Sequence, residues 1–168
     1  YFGKKTAFLA QHFEKVEGCD ISKTAVQKAW ENSKGIAFFE CDFEKKDLLL
    51  PKKYNSIFAV EVIEHLFDTQ QFLQNCRNAL NKGGVLFITT PNVINISNRL
   101  RFLLGNDIFL SGDKAHIRFF NPKTIREEIE KSGFKIVHFE GYNGRKLTKK
   151  IPMPLRFCEG IVVVAEKE

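Results

Sequence analysis

Three ionisable side chains follow an apolar run near the middle of the chain. Residues 57–60 read as a buried strand, and Glu61, Glu64 and His65 come directly after it. Open α/β sheets bind their ligands at the carboxyl ends of strands, where these residues lie. If a helical turn begins here, Glu61 and His65, four residues apart, can converge with Glu64 on one spot. The group therefore indicates a ligand-binding site, and the alternative is a solvated strand-to-helix loop.

Polar residues also follow two earlier apolar segments. Residues 16–21 and 36–41 each read as a short strand, and Asp20 and Asp42 stand at their ends. In a parallel sheet, such strand ends meet at the same edge. This recurrence favours a ligand site over a solvated loop.

Strands and helices alternate along most of the chain, which predicts an α/β fold with a doubly wound, mostly parallel sheet. Helices are predicted at 4–13, 23–32, 69–80 and 122–132, with Ser22 and Asp68 as the caps of the second and third. Strands are predicted at 16–21, 36–41, 57–62, 85–90, 134–139 and 161–165. The last two strands are expected to pair antiparallel. Residues 82–84 are expected to stop the third helix. We predict one domain over 1–168, with residues 93–120 forming a lid or substrate platform that contains a short helix near 97–104.

Composition and charge narrow the class of protein. The chain has 168 residues, is 43% hydrophobic and carries a net charge of +6, so one soluble domain is expected. The charge permits an anionic substrate or RNA without requiring either. Four cysteines form no Cys-x-x-Cys pair, which argues against a zinc ribbon and fits a reducing cytosol. No apolar run is long enough for a membrane span, so a cytoplasmic location is predicted.

Four segments, in order, resemble the successive motifs of class I S-adenosylmethionine-dependent methyltransferases. They are residues 18–22, 40–43, 61–65 and 82–92. Residues 133–137 and 161–165 also resemble the closing β-hairpin of that fold. The resemblance covers essentially the whole chain. It implies a Rossmann-like methyltransferase with S-adenosyl-L-methionine as the cofactor.

The resemblance also assigns cofactor contacts. It implies that Asp20 accepts hydrogen bonds from the ribose hydroxyls and that Ile21 lies against the adenine. Asp42 resembles the residue that accepts a bond from the adenine amino group, beside the backbone N–H of Phe43. Glu61 is predicted to contact the cofactor as well. Without the resemblance, Asp20 would read as a capping residue and Asp42 as a turn residue.

The beginning of the chain departs from the family pattern. The family starts with a strand and a glycine-rich loop that binds the methionine part of the cofactor at a helix N-terminus. Here residues 1–3 resemble the positions directly after that loop, which places Gly3 among the cofactor contacts. We therefore expect that the first strand is absent, and that the strands ending at Asp20 and Val60 lack the neighbour between them. A fragment of this extent is expected to bind cofactor poorly and to be inactive.

The acidic-histidine cluster has three interpretations within the resemblance. The same string recurs in relatives that methylate hydroxyls, including quinone-precursor O-methyltransferases, where His65, with an ordinary pKa of about 6.5, would act as a general base. It also resembles the metal ligands of small-RNA 2′-O-methyltransferases, with His116 as the later histidine, so that Glu61, Glu64, His65 and His116 would bind a divalent metal. In the third interpretation the cluster is structural. Proton removal is assigned first to His65 and second to His116.

The segment around His116 bears on the methyl acceptor. Residues 115–122 resemble the lid-to-helix junction of methyltransferases directed at small molecules or glycans, and lack the additional His and Trp expected of RNA-directed relatives. O-methylation of a small molecule or glycan is therefore predicted. The alternatives are a metal-dependent RNA 2′-O-methyltransferase and a non-catalytic methyltransferase-like binding protein. Arg118 is expected either to pair with an anionic substrate group or to form a surface ion pair.

Overall fold

A computed structural model describes residues 3–48, 50, 52–106, 115–143 and 154–168. Part of the predicted lid, residues 107–114, lies outside the described residues. The chain divides into two compact units, one within the first 48 residues and one in the remainder. Each unit is described by itself.

The first unit contains two helices and two short parallel strands. Its elements are α1 (Lys4–Leu9), β1 (Glu17–Asp20), α2 (Lys23–Asn32) and β2 (Ala37–Glu40). In the register of the pair, Asp20 lies opposite Glu40. Helix α2 has its predicted bounds. It begins after Ser22, because the Ser22 hydroxyl accepts a hydrogen bond from the backbone N–H of Ala25 at 3.3 Å. Helix α1 is shorter than predicted and ends at Leu9, where the chain turns tightly through bonds such as His12 N–H to Leu9 O at 2.9 Å.

The second unit is built on a four-stranded sheet with the strand order β3-β4-β6-β5. Its main elements are β3 (Tyr54–Val60), α3 (Thr69–Ala79), β4 (Leu80–Pro91), α4 (Ile96–Leu103), α5 (Pro122–Lys131), β5 (Phe134–Tyr142) and β6 (Gly160–Lys167). Strands β3 and β4 are parallel, whereas β6 is antiparallel to both β4 and β5. The predicted antiparallel pairing of the last two strands is thus confirmed.

Side chains of β4 and of the helices form the core of the second unit. Leu86 and Ile88 of β4, Leu73 of α3, and Ile125 and Ile129 of α5 are fully buried. Their burial removes apolar surface from water, which is the main favourable contribution to folding.

Capping side chains set the start of two helices in this unit. The Asp68 carboxylate accepts from the Gln71 backbone N–H at 2.9 Å, as predicted, and Asn121 forms a capping box with Thr124. Residues 82–84 do not stop α3, which ends at Ala79. The reason is that Leu80 is buried, has extended backbone and already pairs with Tyr54 in the sheet.

The strand that the family pattern places between β1 and β3 has no counterpart in the described part of the chain. There, β1 pairs with β2 and β3 pairs with β4, and no described strand joins the two sheets. None of the helices that the structure describes is both long enough and apolar enough to span a bilayer.

Candidate active site

A strained turn follows β3 and positions the acidic-histidine cluster. Glu61 has a φ of 55°, in the left-handed region that side chains other than glycine rarely adopt. Such a conformation costs roughly 1–3 kcal/mol and persists where surrounding contacts enforce it. Here the Glu61 backbone N–H donates to the carbonyl oxygen of Thr89 at 3.1 Å, which fastens the turn to β4. A 3-10 turn, Ile63–His65, comes next.

Glu64 is a buried acid with one unsatisfied oxygen. Its side chain is 1% exposed, and its Oε2 accepts a hydrogen bond from the Thr90 hydroxyl at 3.1 Å. Oε1 has no hydrogen-bond partner in the structure. Burial raises the pKa of Glu64 to about 6, with a smaller contribution from the Glu61 charge. Because buried polar atoms are nearly always paired, this oxygen is a candidate acceptor or ligand atom for a group bound at the site.

His65 and His116 lie together beside Glu64. Their ring centroids are 4.7 Å apart in an edge-to-face arrangement. The Nδ1 atom of His65 lies 3.0 Å from the carbonyl oxygen of Ala115. Because a carbonyl oxygen only accepts, Nδ1 carries the proton, and Nε2 of the neutral ring presents a lone pair. This tautomer suits Nε2 for accepting a proton or binding a metal.

Backbone hydrogen bonds hold the His116 segment against the turn. The backbone N–H groups of Ile117 and Arg118 both donate to the carbonyl oxygen of Glu64, each at 3.0 Å. The Arg118 guanidinium donates to the carbonyl oxygens of Leu66, at 3.0 Å, and Phe67. Arg118 was expected to pair with a substrate anion or to form a surface ion pair, and in the structure two of its guanidinium nitrogens, Nε and Nη2, donate to backbone carbonyl oxygens. Its role is to fasten residues 115–120 to the turn.

Three of the four predicted metal ligands come together. Glu64, His65 and His116 each offer one ligand atom, and these atoms lie within 4.8 Å of one another. One carboxylate and two imidazoles are ligand types that can hold a divalent metal ion. Glu61 lies outside this group, and its Oε1 accepts instead from the hydroxyls of Thr89, at 2.8 Å, and Tyr142, at 3.0 Å. Its predicted roles, as metal ligand and as cofactor contact, stay predictions.

Sequence reasoning missed three hydroxyl groups that hold the carboxylates. Thr89 and Thr90 lie in the last three residues of β4, and a position near a strand end was the same signal that singled out the cluster. Tyr142 ends β5, and nothing local in the sequence connects it to Glu61. These residues act on the site through the carboxylates that they contact.

In the first unit, Asp20 is the last residue of β1, and Asp42 follows the neighbouring parallel strand β2. Asp20 accepts a hydrogen bond from the Ser22 backbone N–H at 2.9 Å, and Asp42 accepts one from the Glu44 backbone N–H at 2.8 Å. The Cys41 N–H donates to the Asp20 carbonyl oxygen at 3.0 Å, which ties the two strand ends together. Two carboxylates therefore stand at one edge of this small sheet.

The other predicted cofactor contacts differ in exposure. Ile21, directly after β1, is 64% exposed, which leaves an apolar surface at the strand end, and Phe43 is half-buried. Gly3 has a φ of 84°, and a Cβ atom there would lie 2.9 Å from the Ser33 hydroxyl oxygen, so a side chain is excluded. The roles of all three in cofactor binding stay predictions.

Comparison with known proteins assigns the family. A family profile described as "Methyltransferase domain" matches residues 3–139, which is most of the chain. The chain belongs to the methyltransferase domain family. The motif order that suggested a methyltransferase is thus confirmed.

The methyltransferase domain also has a similar curated relative. This chain is 30% identical over 106 residues to the mitochondrial ubiquinone biosynthesis O-methyltransferase of Homo sapiens. The match covers 61% of this chain and 29% of that relative, so the chain spans less than a third of the relative's length.

Solved structures confirm the fold. An S-adenosylmethionine-dependent methyltransferase from Mesorhizobium loti superposes with a TM-score of 0.72 at 17% identity, covering 98% of this chain and 86% of that one. The N-methyltransferase NodS from Bradyrhizobium japonicum WM9, in complex with S-adenosyl-L-homocysteine, gives a TM-score of 0.67 at 16% identity, covering 99% and 73%. The chain therefore has the α/β, Rossmann-like fold that the motifs predicted.

Proposed function

We propose that the protein transfers a methyl group from S-adenosyl-L-methionine to a hydroxyl oxygen of a small molecule. The observation that carries this proposal is the cluster that His116 forms with Glu64 and His65, which lie in the turn after β3 of a methyltransferase domain. Support for an oxygen acceptor comes from the human relative, which is named an O-methyltransferase of ubiquinone biosynthesis. A glycan remains a second class of acceptor with the same hydroxyl chemistry.

The proposed cofactor contacts in the first unit suit an adenosine group. Asp20 and Asp42 offer carboxylate oxygens at one sheet edge, which can accept bonds from ribose hydroxyls and an amino group. The exposed Ile21 offers an apolar surface for the adenine, beside Phe43. NodS, a structural neighbour, binds S-adenosyl-L-homocysteine, the product of methyl transfer from this cofactor. The methyl group of the sulfonium is already reactive, so the protein mainly has to align the acceptor oxygen with it.

His65 is the proposed general base. The Ala115 carbonyl oxygen holds the proton on Nδ1, so Nε2 is the atom that receives the proton from the acceptor hydroxyl. The hydroxyl oxygen then forms its bond to the methyl carbon as the carbon–sulfur bond breaks. His116, whose ring meets that of His65, is the second candidate for this proton.

The same residues also fit a divalent metal. One oxygen of the Glu64 carboxylate has no hydrogen-bond partner, and this carboxylate has a ligand atom within 4.8 Å of an imidazole nitrogen of each histidine. Glu64, His65 and His116 would hold the ion, with Glu61 as the fourth predicted ligand. A bound divalent ion lowers the pKa of a coordinated hydroxyl, which is the chemistry it would supply here. Whether His65 acts as a general base or the cluster holds a metal, residues of this cluster would orient the acceptor hydroxyl near the end of β3.

We propose that the whole chain is one methyltransferase domain in which residues 93–120 act as a lid. Helix α4 in this segment exposes apolar side chains, and Leu100, Phe102 and Leu103 are 55%, 71% and 79% exposed. Apolar surface of this kind suits contact with a substrate. We also propose a cytoplasmic location, because all four cysteines are free thiols, as a reducing compartment requires.

A methyl-transfer assay on the full-length protein tests the proposal. S-adenosylmethionine labelled in the methyl group is incubated with a panel of ortho-dihydroxybenzenes, and the labelled product and S-adenosylhomocysteine are quantified together. We expect equal amounts of both products with at least one acceptor, and none with the same compounds after their hydroxyls are methylated. If the protein binds the cofactor but transfers no methyl group to the panel or to an RNA oligonucleotide, the result would support the non-catalytic alternative.

A further inference from the structure

The hydroxyl of Tyr142 reaches a carboxylate at the far side of the sheet. It donates a hydrogen bond to Glu61 Oε1 at 3.0 Å, although the two residues are 81 positions apart in the sequence. Tyr142 is the last residue of β5 and Glu61 directly follows β3, which are the two outer strands of the β3-β4-β6-β5 sheet. A side chain from one outer strand therefore contacts the predicted site at the other.

A glycine clears the path for this side chain. Gly160 pairs with Tyr142 on one side and with Pro91 of β4 on the other, so it lies between them in the sheet. A Cβ atom on Gly160 would lie 2.3 Å from Cζ of the Tyr142 ring. No side chain fits there while the ring keeps its place, so Gly160 lets the ring cross β6 toward Glu61.

The two carboxylate oxygens of Glu61 differ in their hydrogen bonding. Oε1 accepts from both Thr89 and Tyr142, whereas Oε2 has no hydrogen-bond partner among the described residues. The Tyr142 hydroxyl is the donor in its bond, because a carboxylate oxygen accepts. The turn at Glu61 is also strained, with its φ of 55°, and the two hydroxyls restrain the side chain that the turn presents.

We infer that Tyr142 is a positioning residue for cofactor binding and acts through Glu61. S-adenosylmethionine and S-adenosylhomocysteine both carry an ammonium group, and a carboxylate oxygen without a protein partner is suited to bind it. The inference rests on the proposed function, in which Glu61 contacts the cofactor. The Tyr142 hydroxyl donates to Oε1 of the carboxylate and thereby restrains the direction of Oε2. This assigns a functional role to the end of the closing hairpin.

The test measures binding of S-adenosylhomocysteine to the full-length protein by titration calorimetry. The variants are Tyr142→Phe, Glu61→Gln and the double variant, with Tyr54→Phe as a matched control at the opposite end of β3. We expect Tyr142→Phe to weaken binding about threefold to tenfold, less than the loss of a direct bond to a charged group, because Tyr142 acts on the cofactor through Glu61. Since Tyr142 acts through Glu61, the double variant should bind no more weakly than Glu61→Gln alone. Tyr54→Phe should bind as the wild type does.

Separate outcomes distinguish the inference from the proposed function. Unchanged binding in Tyr142→Phe, or an equal further loss when it is added to Glu61→Gln, would overturn the inference. A merely structural role would lower the melting temperature of Tyr142→Phe without coupling its binding loss to Glu61, which would also overturn it. Gly160→Ala, which displaces the ring, should reproduce the binding loss if it folds. Failure of the wild type to bind S-adenosylhomocysteine or to transfer methyl groups would instead refute the proposed function.

Discussion

The imidazole rings of His65 and His116 meet edge to face with their centroids 4.7 Å apart. One ring lies in the turn after β3 and the other in the segment before α5, so tertiary structure alone brings them together. With Glu64 they form a group of one buried carboxylate and two imidazoles whose ligand atoms lie within 4.8 Å of one another. The family match makes a methyl-transfer role the natural proposal for this group.

Asp20 is predicted to bind the ribose of the cofactor. In the full-length protein, Asp20→Ala should weaken S-adenosylmethionine binding by roughly 1.5–3 kcal/mol, because a charged hydrogen-bond acceptor is lost. Titration calorimetry gives this value directly, and Glu31→Ala, an exposed carboxylate on α2, is the matched control. An affinity equal to that of the wild type would show that Asp20 serves only as the acceptor for the Ser22 N–H.

Glu64 should make folding stability depend on pH. Burial raises its pKa from the ordinary 4.5 to about 6, so the folded protein holds this proton to higher pH than the unfolded chain does. The stability contribution of Glu64 therefore falls as pH rises from about 4.5 to about 6, and its full penalty remains above that range. Chemical denaturation in EDTA should show wild type losing stability across this window relative to Glu64→Gln. If the free energy of unfolding of the two proteins changed with pH in parallel, the raised pKa would be contradicted. Glu127→Gln, on the exposed face of α5, is the control.

Arg118 should keep the His116 segment docked. Removing its guanidinium in Arg118→Ala frees the carbonyl oxygens of Leu66 and Phe67, so the segment detaches more often. Hydrogen exchange should then become faster at the backbone N–H groups of residues 117 and 118, which both donate to the carbonyl oxygen of Glu64. Exchange in β4 should not change. Arg126→Ala, which removes an exposed ion pair on α5, should leave these amides at their wild-type rates.

Local patterns predicted the order of the strands and helices, although α1 and β4 have other bounds than predicted. Ser22 and Asp68 cap their helices because capping depends on neighbouring residues alone, and the closing antiparallel strands follow from short-range apolar runs. The motif order then gave the family. The predicted bounds were wrong where sheet pairing overrides a local signal. Leu80, for example, joins β4 before the glycines that were expected to end α3.

Contacts between distant segments could not be predicted. The roles of Tyr142 and Arg118 depend on which strands and turns become neighbours after folding. A tyrosine at a strand end and an exposed arginine have no local pattern that reveals their acceptors. The residue type of Arg118 suggested pairing with an anion, whereas two of its guanidinium nitrogens donate to backbone carbonyl oxygens.

The most direct measurement is the rate of methyl transfer by the full-length protein, with and without EDTA, in the wild type and in His65→Ala and His116→Ala. If His65 is the general base, EDTA leaves the wild-type rate unchanged, and His65→Ala loses about 10²- to 10⁴-fold, the usual contribution of such a group. If the cluster holds a metal, EDTA abolishes the rate and Mg²⁺ or Mn²⁺ restores it. Either result supports the account that these residues catalyse the reaction. Full activity in both variants, with no effect of EDTA, would contradict it and make the cluster structural.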